Sequence, residues 1–124
     1  MNPLRSQITN RKIEKLYRIN QLIRLLDNDI TPIAVSCFLY VASHDNCHKQ
    51  VMEESLNLST SSGSRNTDFL TDLRRKYPNG KRKPGLNLIT KTPDPENRRR
   101  TILTLTSKGK DLTSQISDIY EAVL

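Results

Sequence analysis

Residues 85–109, GLNLITKTPDPENRRRTILTLTSKG, read as a strand, a turn, a run of three arginines, a second strand and the start of a helix. Leu86, Leu88 and Ile89 in the first run are answered by Thr101, Ile102, Leu103 and Leu105 in the second. Between them stand Pro93, Asp94, Pro95 and Asn97, residues that break strands and build turns. Arg98, Arg99 and Arg100 then give a two-stranded hairpin a basic tip. Such a shape is suited to lying along a polyanion, and nucleic acid is the first partner it points to.

The charge of the whole chain supports that direction. The formal net charge of the 124 residues is +7, and its distribution is uneven. Residues 1–64 hold seven Lys/Arg against six Asp/Glu, residues 65–100 eleven against four, and residues 101–124 two against three. The entire excess lies in residues 65–100, chiefly in the runs Arg74-Arg75-Lys76, Lys81-Arg82-Lys83 and Arg98-Arg99-Arg100. One basic run is ordinarily a solvated face, whereas three together form an electrostatic footprint for nucleic acid.

The length fits one domain with a modest core, and six aromatic residues with no Trp make that core aliphatic. No apolar run approaches the roughly 18 residues of a membrane span. The start, MNPLRSQITNRK, lacks the apolar core of a signal peptide. Two cysteines without such a signal read as free thiols in a reducing compartment, so the expected location is the cytoplasm.

Apolar spacing predicts a first helix over residues 10–27, with Ile13, Leu16, Ile19, Leu22, Ile23, Leu25 and Leu26 spread wider than one stripe. A face that wide fits burial on its own domain and on a second subunit. Thr31-Pro32 is a helix start, and residues 33–41 (IAVSCFLYV) are apolar nearly all round, as in a core helix. A shorter helix over residues 49–56 is expected to turn Val51, Met52 and Leu56 inward, with a tight turn and a new cap at Asn57-Leu58-Ser59. The next helix, residues 60–75, opens on weak helix formers (Thr60, Ser61, Ser62, Gly63, Ser64) and is anchored by Phe69, Leu70 and Leu73. Small hydroxyl side chains at a helix start can enter a groove and donate to phosphates or bases. Residues 76–85 are a loop. Thr106 caps a final helix with Leu112, Ile116, Ile119 and Val123 on one stripe.

Helix, turn, helix and basic hairpin is the plan of a winged helix-turn-helix. Two segments resemble the MarR family of bacterial transcription regulators. Residues 52–59, MEESLNLS, resemble its supporting helix and turn, followed by a Ser/Thr-rich recognition helix that reaches Arg65. Gly85-Leu86, then Asp94-Pro95-Glu96-Asn97-Arg98-Arg99 and Leu105-Thr106-Ser107-Lys108-Gly109, resemble its wing and the helix start after it. The resemblance implies a mainly α fold with a small two-stranded β wing, in a single winged-helix DNA-binding domain over residues 1–124. The terminal helices, residues 10–28 and 107–124, would serve dimerisation.

On that resemblance, Thr60, Ser61, Ser62, Ser64 and Arg65 read the major groove, and Arg98 and Arg99, with Arg100 beside them, lie at the minor groove. Arg74, Arg75, Lys81, Arg82, Lys83 and Lys91 supply further DNA contacts, while Asp94 and Asn97 order the wing, Asp94 by holding an arginine. The chain departs from the family pattern in four places. Gly63 replaces a core β-branched residue, which implies a less firmly seated recognition helix. Asn97 replaces a second wing Asp. About ten residues, 75–84, are inserted before the wing, and the last dimerisation helix is short. The departures fit a divergent member.

The function expected is a sequence-specific regulator of transcription, most simply a dimeric repressor. The alternatives are a winged-helix interaction protein that binds polymerase or replication machinery, and a plasmid or phage replication initiator. Cys37, His44, Cys47 and His48 crowd into twelve residues, but their spacing matches no common zinc pattern, so neither metal nor cofactor is expected. No nucleophile motif, phosphate loop or carboxylate pair points to an enzyme. The resemblance leaves room for a small-molecule effector, although no residue pattern marks a pocket for one.

Overall fold

The computed structural model describes residues 6–72 and 84–123. Among them the order is α1 (Arg11–Arg24), α2 (Pro32–Ser43), β1 (Cys47–His48), α3 (Lys49–Leu56), α4 (Thr60–Leu70), β2 (Ile89–Pro93), β3 (Thr101–Leu105) and α5 (Ser107–Glu121). Four helices start where a short polar side chain accepts a bond from an otherwise orphaned backbone N–H. Asn10 accepts from Ile13, Thr31 from Ala34, Ser59 from Ser62 and Thr106 from Gly109. Asn57, left-handed at φ 55°, ends α3 and lets the chain turn into α4.

The core is aliphatic apart from Phe38. Phe38, Met52, Leu70, Leu88, Ile89, Leu103 and Val41 are its largest fully buried apolar side chains, drawn from α2, α3, α4, the sheet and the segment just before β2. Leu112 of α5 packs onto the same cluster. Val51, expected inside, is 46% exposed, and Val123 lies beyond the end of α5 at 97% exposed. Helical period alone could not tell a half-covered edge from the buried stripe.

Strands β2 and β3 pair antiparallel from Ile89 opposite Leu105 to Pro93 opposite Thr101. Pro93 is tolerated because β2 is an edge strand in the order β1-β3-β2. The third strand was not expected from the sequence. Asp45 accepts the Leu105 N–H at 3.1 Å, and Asn46 accepts the Thr104 hydroxyl at 2.9 Å. Those bonds draw the loop after α2 alongside β3, so that Cys47 and His48 pair with Leu103 and Ile102.

Residues 86–88 were read as strand but serve another purpose. Their N–H groups donate to Phe69, Thr71 and Leu70, so they satisfy carbonyls at the end of α4. The Leu88 carbonyl then accepts from the Thr106 N–H at 3.0 Å. Gly109 lies against that same carbonyl, where any Cβ would collide with it. The segment thus fastens α4 to α5. Helix α4 itself ends at Leu70, earlier than the expected span over 60–75, and Leu73 lies outside the described residues. Among the described residues no helix is long and apolar enough to cross a membrane.

Candidate nucleic-acid interface

Helix α4 keeps its place through contacts that its weak propensity does not supply. Gly63, Thr67 and Leu70 form its buried face, and the Thr67 hydroxyl donates to the Gly63 carbonyl at 2.7 Å. Glu53 of α3 is buried beneath Gly63 and pairs with Lys49 at 2.7 Å. A Cβ on residue 63 would overlap the Glu53 carboxylate. Gly63 therefore seats α4 closely on α3, contrary to the looser seating that its departure from the family pattern implied.

The opposite face of α4 carries the residues expected to meet DNA. Thr60, Ser61 and Arg65 are exposed, and Ser62 and Ser64 are half-buried. Asn66 donates to the Ser62 carbonyl at 2.8 Å, which holds the polar ridge of the helix in register.

At the wing, the chain from Asp94 to Arg100 closes on itself. The Asp94 N–H donates to the Arg100 carbonyl at 2.9 Å, Arg100 N–H to Asn97 at 2.9 Å, and Asn97 N–H to Asp94 at 3.2 Å. The Asn97 side chain accepts the Arg99 N–H at 3.2 Å. The Asp94 carboxylate accepts the Glu96 N–H at 2.9 Å through Oδ1 and meets His48 Nε2 at 2.8 Å through Oδ2. Those bonds, the Glu96 N–H first and the His48 ring next, hold the Asp94 carboxyl below its ordinary range. Its partner is His48 rather than the arginine expected from the resemblance. The sequence offered no signal for this, because the two residues lie 46 positions apart. Arg98, Arg99 and Arg100 are left exposed.

The two candidate contact surfaces converge. Thr60 at the start of α4 and Arg99 and Arg100 of the wing line one cleft of about 210 Å³, floored by His48, Lys49, Gln50 and Glu53. A neighbouring cleft lies between His48, Gln50, Val51, Glu54 and Arg100. Lys91, expected to contact DNA, is instead committed to Asp68 and braces β2 against α4. Its side chain is only 17% exposed. Arg74, Arg75, Lys81, Arg82 and Lys83 lie outside the described residues.

The four residues weighed as metal ligands are engaged separately. Cys37 is in the core, its thiol pushed up to about 11 by burial and then by the Glu53 charge. Cys47 sits in β1, its thiol also raised by burial. The His44 ring stacks on Tyr40 with centroids 4.2 Å apart, and His48 meets Asp94. Among the described residues no group of three or more such side chains gathers at a metal-binding distance.

No protein-family profile and no curated protein sequence matches the chain. Solved structures do. The MepR–DNA complex of S. aureus superposes with a TM-score of 0.65 at 17% identity, covering 88% of this chain and 78% of that one. A MarR transcriptional regulator from Methanosarcina mazei Go1 gives 0.61 at 20% identity, over 86% and 70%. PcaV from Streptomyces coelicolor, in complex with its natural ligand, gives 0.54 at 16%, over 94% and 82%. This is the MarR-like winged-helix fold. Within it, α3 and α4 form the helix-turn-helix and the β2–β3 hairpin the wing. The hairpin is joined by β1 in a sheet of three strands rather than two.

Proposed function

We propose that the chain is a sequence-specific double-stranded-DNA-binding regulator of transcription, working as a homodimer and most simply as a repressor. One observation carries the reading: Thr60 of α4 and Arg99 and Arg100 of the wing border a single cleft, so both candidate surfaces can address one duplex together. In this reading α4 enters the major groove with Thr60, Ser61 and Arg65 foremost and Ser62 and Ser64 beside them. Arg98, Arg99 and Arg100 follow the backbone into the minor groove, where cations meet the strongest negative potential. The basic residues Arg74, Arg75, Lys81, Arg82 and Lys83 add attraction that does not depend on sequence. Lys91 is held by Asp68 and braces the wing, while Asp94 and Asn97 order its turn.

The terminal helices are proposed as the dimer interface. Ile13, Leu16 and Tyr17 of α1 and Tyr120 of α5 are each more than half exposed. The two helices lie together, with Lys15 Nζ donating to the Tyr120 carbonyl at 2.9 Å. Four large apolar side chains in solvent on paired helices fit burial against a second copy. Two α4 helices related by a two-fold axis read two half-sites, so the target is expected to be palindromic. Repression then needs no catalysis. Occupying the operator excludes polymerase, and the work belongs to the cytoplasm, where the DNA is.

Selection from a random duplex pool tests this reading. A two-fold symmetric consensus with half-sites about 10 base pairs apart is expected. Weak binding without sequence preference would instead favour an adaptor whose basic loops are auxiliary.

A further inference from the structure

We infer that His48 is a positioning residue that latches the wing to the helix-turn-helix, holding Arg99 and Arg100 over the start of α4. The inference rests on the DNA-binding reading above. His48 ends β1 and occupies the N-cap position of α3, yet its side chain makes no capping bond there. The imidazole Nε2 reaches Asp94 Oδ2 at 2.8 Å, across the sheet from α3. Asp94 is the first residue of the wing turn, and its N–H is bonded to the Arg100 carbonyl. Holding Asp94 therefore also holds the backbone of Arg100. His48, Thr60, Arg99 and Arg100 line one shared cleft.

The charged groups around His48 fit this role. From the wing come Asp94, Arg99 and Arg100; from α3 come Lys49, Glu53 and Glu54. Lys49 and Glu53 pair with each other, which leaves Asp94 as the acidic partner at hydrogen-bond distance from the ring. A wing fixed before DNA arrives loses less freedom on binding, so a latch acts on affinity through the arginines that it positions.

A double-mutant cycle on a duplex recovered by the selection above tests the latch. His48→Leu is expected to weaken binding about tenfold, as for a lost hydrogen bond to a charged group. His48→Gln, whose side-chain amide can donate to the same carboxylate, is expected to retain most of the affinity. In an Arg99→Ala/Arg100→Ala background, His48→Leu is expected to cost nothing further, because nothing remains to be positioned. In the DNA-free protein, exchange of the Glu96 amide should accelerate in His48→Leu. If His48→Leu fails to fold, Asp94→Asn enters the same cycle with the same expected dependence on the arginines. Equal loss with and without the arginines, or no loss at all, overturns the latch. A wild-type protein that binds no duplex overturns the DNA-binding reading itself. Binding that depends on the arginines but not on His48 overturns the latch alone.

Discussion

Gly63 is held to its identity by a neighbour on another helix. In an exposed helix, Gly→Ala stabilises by about 1 kcal/mol through backbone entropy. At position 63 the added methyl would meet the buried Glu53 carboxylate, which is already anchored to Lys49. Overpacking of this kind costs about 1–3 kcal/mol and outweighs the propensity gain. Gly63→Ala is therefore expected to lower the melting temperature and to be non-additive with Glu53→Ala in chemical denaturation. A Gly63→Ala protein more stable than wild type would contradict this packing. Sequence reading found the glycine but not its reason, because the constraint is a contact between residues ten positions apart on two helices. The Lys91–Asp68 pair was hidden for the same cause: a lysine on a basic hairpin looks free in sequence until Asp68 of α4 is beside it.

At the scale of elements, what was local was legible. The starts of α2, α4 and α5 followed from Thr31, Ser59 and Thr106, since a cap and its N–H partner lie within three residues, whereas α1 followed from apolar spacing. The β2–β3 hairpin followed from β-branched runs around a Pro/Asp turn. Strand β1 did not, because two residues carry no period and their alignment depends on Asp45 and Asn46 bonding to β3, about 60 positions away. Residues 86–88 looked like strand because Leu86 and Leu88 alternate, although their backbone partners are on α4.

The wing turn has a pH dependence with a definite sign. Bonds to Glu96 and His48 depress the Asp94 carboxyl in the folded state. The stabilisation is therefore present above the ordinary carboxylate value of about 4 and is lost as pH falls through the lower folded value. Amide exchange at Glu96 should remain slow from neutral pH down to mildly acidic conditions and accelerate only in stronger acid. Asp94→Asn should remove that acid step. A wing that loosened between pH 7 and 5 in wild type would contradict the assignment to Asp94.

At the scale of the whole molecule, the fold was legible and the assembly is a proposal. Ile13, Leu16, Tyr17 and Tyr120 leave apolar surface on α1 and α5 that a second copy would cover. Leu16→Glu with Tyr17→Glu should convert a dimer to a folded monomer in sedimentation equilibrium, with DNA affinity falling because two linked half-sites become one. A wild-type protein that is monomeric at micromolar concentration would contradict this interface.

The central claim is that the exposed wing arginines address the phosphate backbone beside α4. The most direct measurement is the salt dependence of duplex affinity in wild type and in an Arg98→Ala/Arg99→Ala variant. Each lost phosphate contact reduces the slope of log K against log salt by about 0.9, so a reduction approaching 1.8 is expected, with weaker binding on every sequence. A variant with unchanged affinity and unchanged slope would contradict the account.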